Sequence, residues 1–321
     1  MKIVIYGAGG IGSVVGGHLW RSGHEVILIG RAGHVRAINE NGLKLITPKE
    51  TYVLRIPAVT VPAQVNFNPG DVVFLTVKGQ KTEEALRDLQ AVNKDVPVFC
   101  LQNGVRNEEI AARYFPRIYG ATFGIGAEYL TDGTVICRRD PPGRLLISRY
   151  PGGTDNLVED VAVRLRDGGF FVKVILDVMP YKWGKLMGNL ANAIDAITGS
   201  GGKDVAEIAR AARQELTGLL EQAGIRWISQ DELAKETPEV SMPPRPGGNT
   251  PMHSSTWQSL MRRQGSVETE FLNGEVVRLA NRLGQSAPIN LKLMQISQEM
   301  ASSYEQPGKY TADQLRSILG L

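Results

Sequence analysis

Six residues near the start of the chain restrict its fold more than any other stretch. Gly7-Ala8-Gly9-Gly10-Ile11-Gly12 follows the β-branched run Lys2–Tyr6 and opens a helix-compatible segment that reaches Arg21. Ser22-Gly23-His24 ends that segment, and Glu25–Ile29 is a second apolar strand. Gly7, Gly9 and Gly12 fit the spacing G-x-G-x-x-G. The first glycine permits a tight turn, the second lets backbone approach a pyrophosphate, and the third lets the helix pack close to the strand. The new helix aims its free N–H groups at the phosphates. Such spacing alone is weak, but a strand before it and a helix after it identify a dinucleotide site along Gly7, Ala8, Gly9, Gly10, Ile11 and Gly12.

The rest of the first half continues this pattern. Buried-type strands are predicted at Val72–Val77, Val96–Leu101 and Ile118–Ala121, with helices at Thr82–Leu89 and Asn107–Tyr114 between them. Alternating strands and helices imply a mostly parallel sheet covered on both faces. From Thr122 to Arg149 short strands broken by Asp132-Gly133 and Pro141-Pro142-Gly143 predict antiparallel hairpins on the sheet edge. A helix over Asp155–Arg166 and a strand over Phe171–Leu176 complete this half.

From Pro180 onward the strand signal disappears. Helices are expected over Tyr181–Ile197, Val205–Ala223, Ser254–Arg263, Val267–Arg282 and Asn290–Ser303. A chain of 321 residues is about twice a typical ~150-residue domain. The expected division is an α/β Rossmann-type dinucleotide-binding domain over residues 1–178 and an all-α domain over residues 179–321. Thr237–Pro251, with five prolines and Gly247-Gly248, interrupts the helices. It is read as part of a substrate-side rim, with Arg245 able to meet a carboxylate, or else as a surface linker.

The end of the second strand bears on the cofactor. A site for NAD expects Asp or Glu there, to hydrogen-bond the ribose 2′-hydroxyl. This chain has Gly30-Arg31, and a guanidinium suits the 2′-phosphate of NADP. The expected cofactor is NADP(H); the other reading makes Arg31 a solvated residue at a helix start. Lys78 lies just past the strand at Val72–Val77, on the edge where ligands of open α/β sheets sit. It is read as reaching the cofactor, against the reading of a surface lysine. Gln102-Asn103-Gly104 ends the next strand on the same edge. Asn103 offers a donor and an acceptor to nicotinamide or substrate, and Asn-Gly also favours a plain left-handed turn.

Composition excludes other classes. Thirty-six Lys and Arg against 33 Asp and Glu leave a net charge of +3, which gives little support for nucleic-acid binding. Cys100 and Cys137 sit in apolar runs and are read as buried free thiols of a reducing compartment. No signal-peptide pattern precedes the first strand and no long apolar run is present, so a cytoplasmic protein without a membrane span is expected. The four histidines lie far apart in sequence and show no ligand spacing, so no metal is expected.

A polar stripe stands out in the helical half. At about 100° per residue, Lys185, Asn189 and Asn192 fall within roughly 60° of one another on one helix. A lysine and two asparagines among Leu, Met and Ala are costly to bury without partners, so the stripe reads as a polar site facing a cleft, or as a solvated helix face.

Taken together, these pieces resemble the ketopantoate reductase (2-dehydropantoate 2-reductase) family. The resemblance rests on Gly7–Gly12, Thr76-Val77-Lys78, Leu101-Gln102-Asn103-Gly104-Val105, Trp183-Gly184-Lys185-Leu186 with Asn189, and Glu268 followed by Asn273-Gly274. It implies a C-terminal domain like that of 6-phosphogluconate dehydrogenase. It implies hydride transfer from NADPH to a 2-keto acid, ketopantoate above all, giving the 2-hydroxy acid. Lys185 would be the general acid and Glu268 its companion, orienting Lys185 or binding a substrate hydroxyl. Asn103, Asn189, Asn192 and Thr256 would bind substrate. A homodimer is also in keeping with the resemblance. Some positions depart from the family pattern: Ala193 stands where a further asparagine is usual, Thr256 keeps a hydroxyl at the substrate position, Trp257 is bulkier than the usual methionine, Ser259 replaces the usual aspartate, and Val267 replaces a threonine. A related hydroxyacid or opine-type dehydrogenase, and a non-catalytic NADP-binding regulator, remain the alternative readings.

Overall fold

The structure, a computed structural model, describes residues 1–199, 202–236, 238 and 253–321. The proline- and glycine-rich stretch read as a rim, Arg245 included, lies outside the described residues except for Pro238. The chain divides into two compact units. One holds Met1–Gln102, Arg106–Met179 and the segment that begins at Asp231; the other holds Asn103–Val105, Pro180–Gln230 and the C-terminal run to Leu321.

The first unit contains β1 (Ile3–Tyr6), α1 (Gly10–Arg21), β2 (Val26–Ile29), α2 (Ala32–Asn41), β3 (Leu43–Ile46), β4 (Thr51–Leu54), β5 (Ala58–Val59), β6 (Val72–Leu75), α3 (Thr82–Val92), β7 (Val98–Cys100), α4 (Asn107–Ala111), β8 (Ile118–Ile125), β9 (Ala127–Thr131), β10 (Thr134–Cys137), β11 (Gly143–Arg149), α5 (Asn156–Asp167) and β12 (Phe171–Val174). Its main sheet has the order β12-β11-β8-β7-β6-β1-β2-β5. Ile3 of β1 pairs with Val26 on one side and Val72 on the other, both in parallel register. These strands are continuous apolar runs because both sheet faces are covered. Phe74, Phe99 and Tyr119 form a cross-strand aromatic ladder, with Phe99 stacked on Tyr119 at 4.2 Å between centroids. Asp155 accepts from the Tyr119 hydroxyl at 2.8 Å and caps α5 through Val158 N at 2.9 Å.

Residues 122–149 differ from the expected edge hairpins. β8 runs on to Ile125, and β11 enters the main sheet between β8 and β12, antiparallel to β8 and parallel to β12. β9 and β10 do form a hairpin, but they leave the main sheet. With β3 and β4 they make a second, four-stranded sheet of order β4-β3-β10-β9. α1 lies between the two sheets. A Cβ on Gly16 would come 2.8 Å from Leu28 of the main sheet, and one on Gly17 would come 3.1 Å from Leu45 of the second. Adjacent helix residues face different sides, so the glycine pair thins α1 toward both sheets at once.

The second unit is helical: α6 (Met179–Asn189), α7 (Ala191–Thr198), α8 (Ala206–Gln222), α10 (Ser255–Met261), α11 (Asn273–Arg282), α12 (Pro288–Ser302) and α13 (Ala312–Leu319); between α8 and α10 comes α9 (Gln230–Glu236), most of which belongs to the first unit. The single helix expected over Tyr181–Ile197 is two, separated at Leu190. The Leu190 carbonyl accepts from Asn273 Nδ2 at 3.3 Å. The helix expected from Val267 opens as a short 3-10 turn, Glu268–Phe271, before α11. Among the described residues no helix is long and apolar enough to cross a membrane. Cys100 and Cys137 are buried thiols, not joined in a disulfide.

Gly184 and Gly188 share α6 but differ in surroundings. A Cβ on Gly184 would overlap the backbone carbonyl of Ile228, which cannot step aside, whereas nothing lies within 4 Å of one on Gly188. Gly184→Ala is therefore expected to destabilise by about 1–3 kcal/mol or more. Gly188→Ala should stabilise by about 0.5–1 kcal/mol. Chemical denaturation of the two variants beside the parent checks both signs.

His18 on α1 is buried edge-on against Phe170. Burial, with Arg21 nearby as a second cause, lowers its pKa from 6.5 to about 4. The unfolded chain takes up this proton below about pH 6.5 while the folded chain refuses it. Stability is then complete above that pH and falls as pH drops toward 4, by up to about 1.4 kcal/mol per unit. His18→Gln should remove this slope. Urea midpoints at pH 7.5 and 5 compare the two proteins, and parallel losses would count against the assignment.

Candidate active site

The glycine turn is built from backbone contacts. Gly7 N and Ala8 N both donate to the Ile29 carbonyl, at 3.0 and 2.8 Å, which ties the turn to the end of β2. Gly7 has φ +121°, and a Cβ there would overlap the backbone of Thr76 and Val77. A Cβ on Gly12 would overlap the Gly7 carbonyl and Thr76. Thr76 Oγ1 in turn donates to that carbonyl at 2.9 Å. Gly7 and Gly12 are thus required by packing. Gly9 differs: the nearest atom to a Cβ there is 3.9 Å away, so its bare backbone faces open space. That is the room a pyrophosphate needs, and the residues present fit a dinucleotide. Gly10 rests on Ala127 of β9, while Ala8 is buried and Ile11 partly so.

Two cationic residues lie on the same carboxyl edge. Arg31 is exposed and is the N-cap residue of α2, directly after β2. Lys78 is half-buried and precedes the short turn Gly79–Lys81. Its loop is pinned by Gln102, whose Nε2 donates to the Val77 carbonyl at 2.8 Å and to Thr82 Oγ1 at 2.7 Å.

Asn103, Lys185, Asn189, Asn192, Thr256 and Glu268 all belong to the second compact unit. Asn103 enters it with Gly104, whose missing Cβ would come 2.6 Å from the Phe271 carbonyl. Gly104 carries the left-handed conformation, φ +84°, and Asn103 does not, so Asn103 is not there to supply a turn. Phe271 closes the 3-10 turn that Glu268 opens, and Glu268 is buried. Lys185 and Asn189 are half-buried, one turn apart on α6. Asn192 lies past Leu190, on α7.

Three polar atoms here are buried with no hydrogen-bond partner among the described residues: Asn189 Nδ2, Ser255 Oγ and Thr256 Oγ1. Buried polar groups are nearly always satisfied, and exceptions mark function. Thr256 follows directly on Ser255, in the first turn of α10. That turn is clamped to α7 by Asp195, whose Oδ2 accepts from Ser254 N at 2.7 Å and whose Oδ1 lies 3.0 Å from His253 Nδ1. Ser254 Oγ donates to the Asn192 carbonyl at 3.1 Å and accepts from Trp257 N at the same distance. The indole of Trp257 stacks on the His253 ring at 3.9 Å. A second network holds the break in the Lys185 helix. Asn273 Nδ2 donates to the Leu190 carbonyl and to Asn290 Oδ1, and Asn290 Nδ2 donates to the Ala212 carbonyl and to Glu215. Ser255, Asp195 and the task of Asn273 were not read from the sequence. Two hydroxyls in succession, Ser255-Thr256, were the available signal for the first; the others act across 58 to 83 residues of chain.

Residues 3–152 match the family described as ketopantoate reductase PanE/ApbA, and residues 177–301 match its C-terminal part. The chain belongs to the ketopantoate reductase family. It is 31% identical over 301 residues to a 2-dehydropantoate 2-reductase of Pyrococcus horikoshii, covering 91% of this chain and 95% of that one. A 2-dehydropantoate 2-reductase of Archaeoglobus fulgidus is 29% identical, covering 92% and 96%. Among solved structures, a PanE/ApbA family ketopantoate reductase from Ralstonia eutropha superposes with a TM-score of 0.79 at 29% identity, covering 95% of this chain and 99% of that one. D-mandelate dehydrogenase in complex with NADH and anilino(oxo)acetate gives a TM-score of 0.80 at 24% identity with the same coverage, a likeness of fold. As a ketopantoate reductase family member the protein is an oxidoreductase that uses a nicotinamide cofactor, with an α/β unit ahead of a helical one.

If the Thr256 hydroxyl waits for a ligand, the fold does not need it. Thr256→Val keeps the volume and removes an unsatisfied buried group, so stability should stay equal or rise by up to about 1 kcal/mol. A loss above 1 kcal/mol in chemical denaturation would show that the hydroxyl is bonded within the fold.

Proposed function

We propose that the protein reduces a 2-keto acid to the 2-hydroxy acid with NADPH, ketopantoate to pantoate being the first reaction to test. The observation that carries this reading is the set of buried polar atoms on Asn189, Ser255 and Thr256 that have no partner among the described residues, in the same compact unit as Lys185, Glu268 and Asn103. Apolar ligands would leave these atoms unsatisfied; a carboxylate with an adjacent carbonyl would satisfy them.

Bound NADPH supplies the hydride to the carbonyl carbon. The Lys185 ammonium stabilises the negative charge that develops on the carbonyl oxygen and then donates a proton to it, which completes the hydroxy acid. The neutral lysine regains its proton from solvent. Glu268 orients Lys185 or accepts from a substrate hydroxyl. Asn103, Asn189, Asn192 and Thr256 hold the carbonyl and carboxylate. In the first unit, the backbone of Gly7-Ala8-Gly9-Gly10-Ile11-Gly12 receives the pyrophosphate, the Arg31 guanidinium the 2′-phosphate, and Lys78 the ribose or phosphates.

The test is NADPH oxidation against a panel of 2-keto acids with ketopantoate first, run on the parent and on Lys185→Ala. The variant should lose about 10²- to 10⁴-fold in kcat, the usual range for a general acid, while its NADPH dissociation constant stays put. Turnover that survives in Lys185→Ala removes that residue from the reaction. Turnover of another acid with ketopantoate silent changes the substrate. Turnover of none favours a dinucleotide-binding regulator.

A further inference from the structure

We propose that Asp132 is a cofactor-specificity residue, one that brings a carboxylate to the start of α2 and narrows the preference for NADPH over NADH; the inference rests on the reading of Arg31 as the 2′-phosphate residue. The sequence lacks the acid usually found at the end of β2, where Gly30-Arg31 stands instead. The structure places a carboxylate near that point from elsewhere in the first unit. The β9–β10 hairpin turns at Asp132-Gly133 and docks on the first turn of α2. Gly133 N donates to His34 Nδ1 at 2.9 Å. Asp132 Oδ2 lies against Gly33, the second residue of α2, so closely that a Cβ on Gly33 would overlap it. Arg31 is the N-cap residue of the same helix, two positions earlier.

The surroundings of the carboxylate hold it in place. Asp132 Oδ1 accepts from the Tyr129 hydroxyl at 2.5 Å, a neutral donor. His34 Nδ1, 4.0 Å from Oδ1, already accepts from Gly133. His34 Nε2 lies 3.3 Å from Ser13 Oγ on the other side of the ring. Tyr129 also packs on the His34 ring, 4.6 Å between centroids. The Asp132 side chain stays about half exposed, open to a ligand at the helix start.

Chemistry then sets the direction. A 2′-phosphate carries about −1.5 to −2 charges, as other phosphomonoesters do, and a carboxylate beside it repels it. A ribose 2′-hydroxyl can donate to the same carboxylate. Arg31 favours the phosphate and Asp132 opposes it, so the two residues set the discrimination between them.

Asp132→Asn separates charge from turn. Asn-Gly suits a tight hairpin as well as Asp-Gly does, and the amide oxygen can still accept from Tyr129. Gly33→Ala offers an independent route, because it keeps the carboxylate and pushes it off the helix start. Dissociation constants for NADPH and NADH, and for the fragments 2′,5′-ADP and 5′-AMP, are measured by calorimetry on the full chain. Both variants should raise the preference for the 2′-phosphorylated ligand by about two- to fivefold, the size of one exposed charge contact. A parental ratio in Asp132→Asn overturns the assignment, whatever other variants do. Arg31→Ala is run beside it and should weaken NADPH binding at least tenfold; if it leaves NADPH untouched, the reading of Arg31 fails separately.

Discussion

The burial of α1 from two sides is the constraint on which the first unit depends. Residues Gly12 to Leu19 are buried without interruption. A helix apolar all round its circumference needs cover all round. The main sheet supplies one side, and the second sheet supplies another through Leu43, Leu45 and Leu54. Each buried Val or Leu contributes roughly 1.5–3 kcal/mol, so this helix is among the firmest parts of the molecule. Its firmness suits the proposed role, because N–H groups at the start of α1 that received a pyrophosphate would not need to be reset each time. The same second sheet props Gly10 and carries Asp132 to α2. One structural layer thus props the glycine turn and brings Asp132 to the start of α2.

Much of the main sheet was legible because fully covered parallel strands leave plain traces. Ile3–Tyr6, Val26–Ile29 and Val72–Leu75 are unbroken apolar runs beside turn residues. The second sheet left almost none. β3 and β4 alternate buried and exposed positions over four residues each, too short a window for periodicity to speak. The partner that joins this hairpin to β9 and β10 is β10, which meets β3 ninety residues on through Thr134 and Lys44, a pairing no local pattern encodes. The break in the Lys185 helix was hidden for a like reason. Leu190 is an ordinary helix former, and the amide that takes its carbonyl belongs to Asn273. α13 was legible in principle: Thr311 and Gln314 form a capping box and Gly320 ends the helix in left-handed geometry. Its eight residues gave too little periodicity to draw attention.

The candidate site shows where local rules and the fold part company. Trp183-Gly184-Lys185 reads as a chemical signature, yet its glycine is fixed by a neighbouring carbonyl at Ile228. Ser255 and Thr256 show the opposite case. They look like ordinary helix-start residues, and their hydroxyls are buried with no hydrogen-bond partner among the described residues. Folded chains tolerate such groups where a ligand will later complete them. The supports beneath these residues are themselves polar. Asp195 clamps α10 to α7, and Asn273 with Asn290 and Glu215 ties α11, α12 and α8 to the turn after Asn189. Side chains outside the candidate site thereby set where the candidate residues stand.

The second sheet also bears on the order in which the molecule can assemble. It closes only when the stretch Leu43–Leu54 meets the stretch Ala127–Cys137, so the cover of α1 is a long-range event. Loop closure of this length must precede its reward, which slows folding relative to a domain of local contacts. A ribosome that has delivered β1, α1 and β2 has made every residue of the glycine turn but not the cover that holds it. The nucleotide turn is complete in sequence at residue 12 and in structure only after Cys137 has emerged.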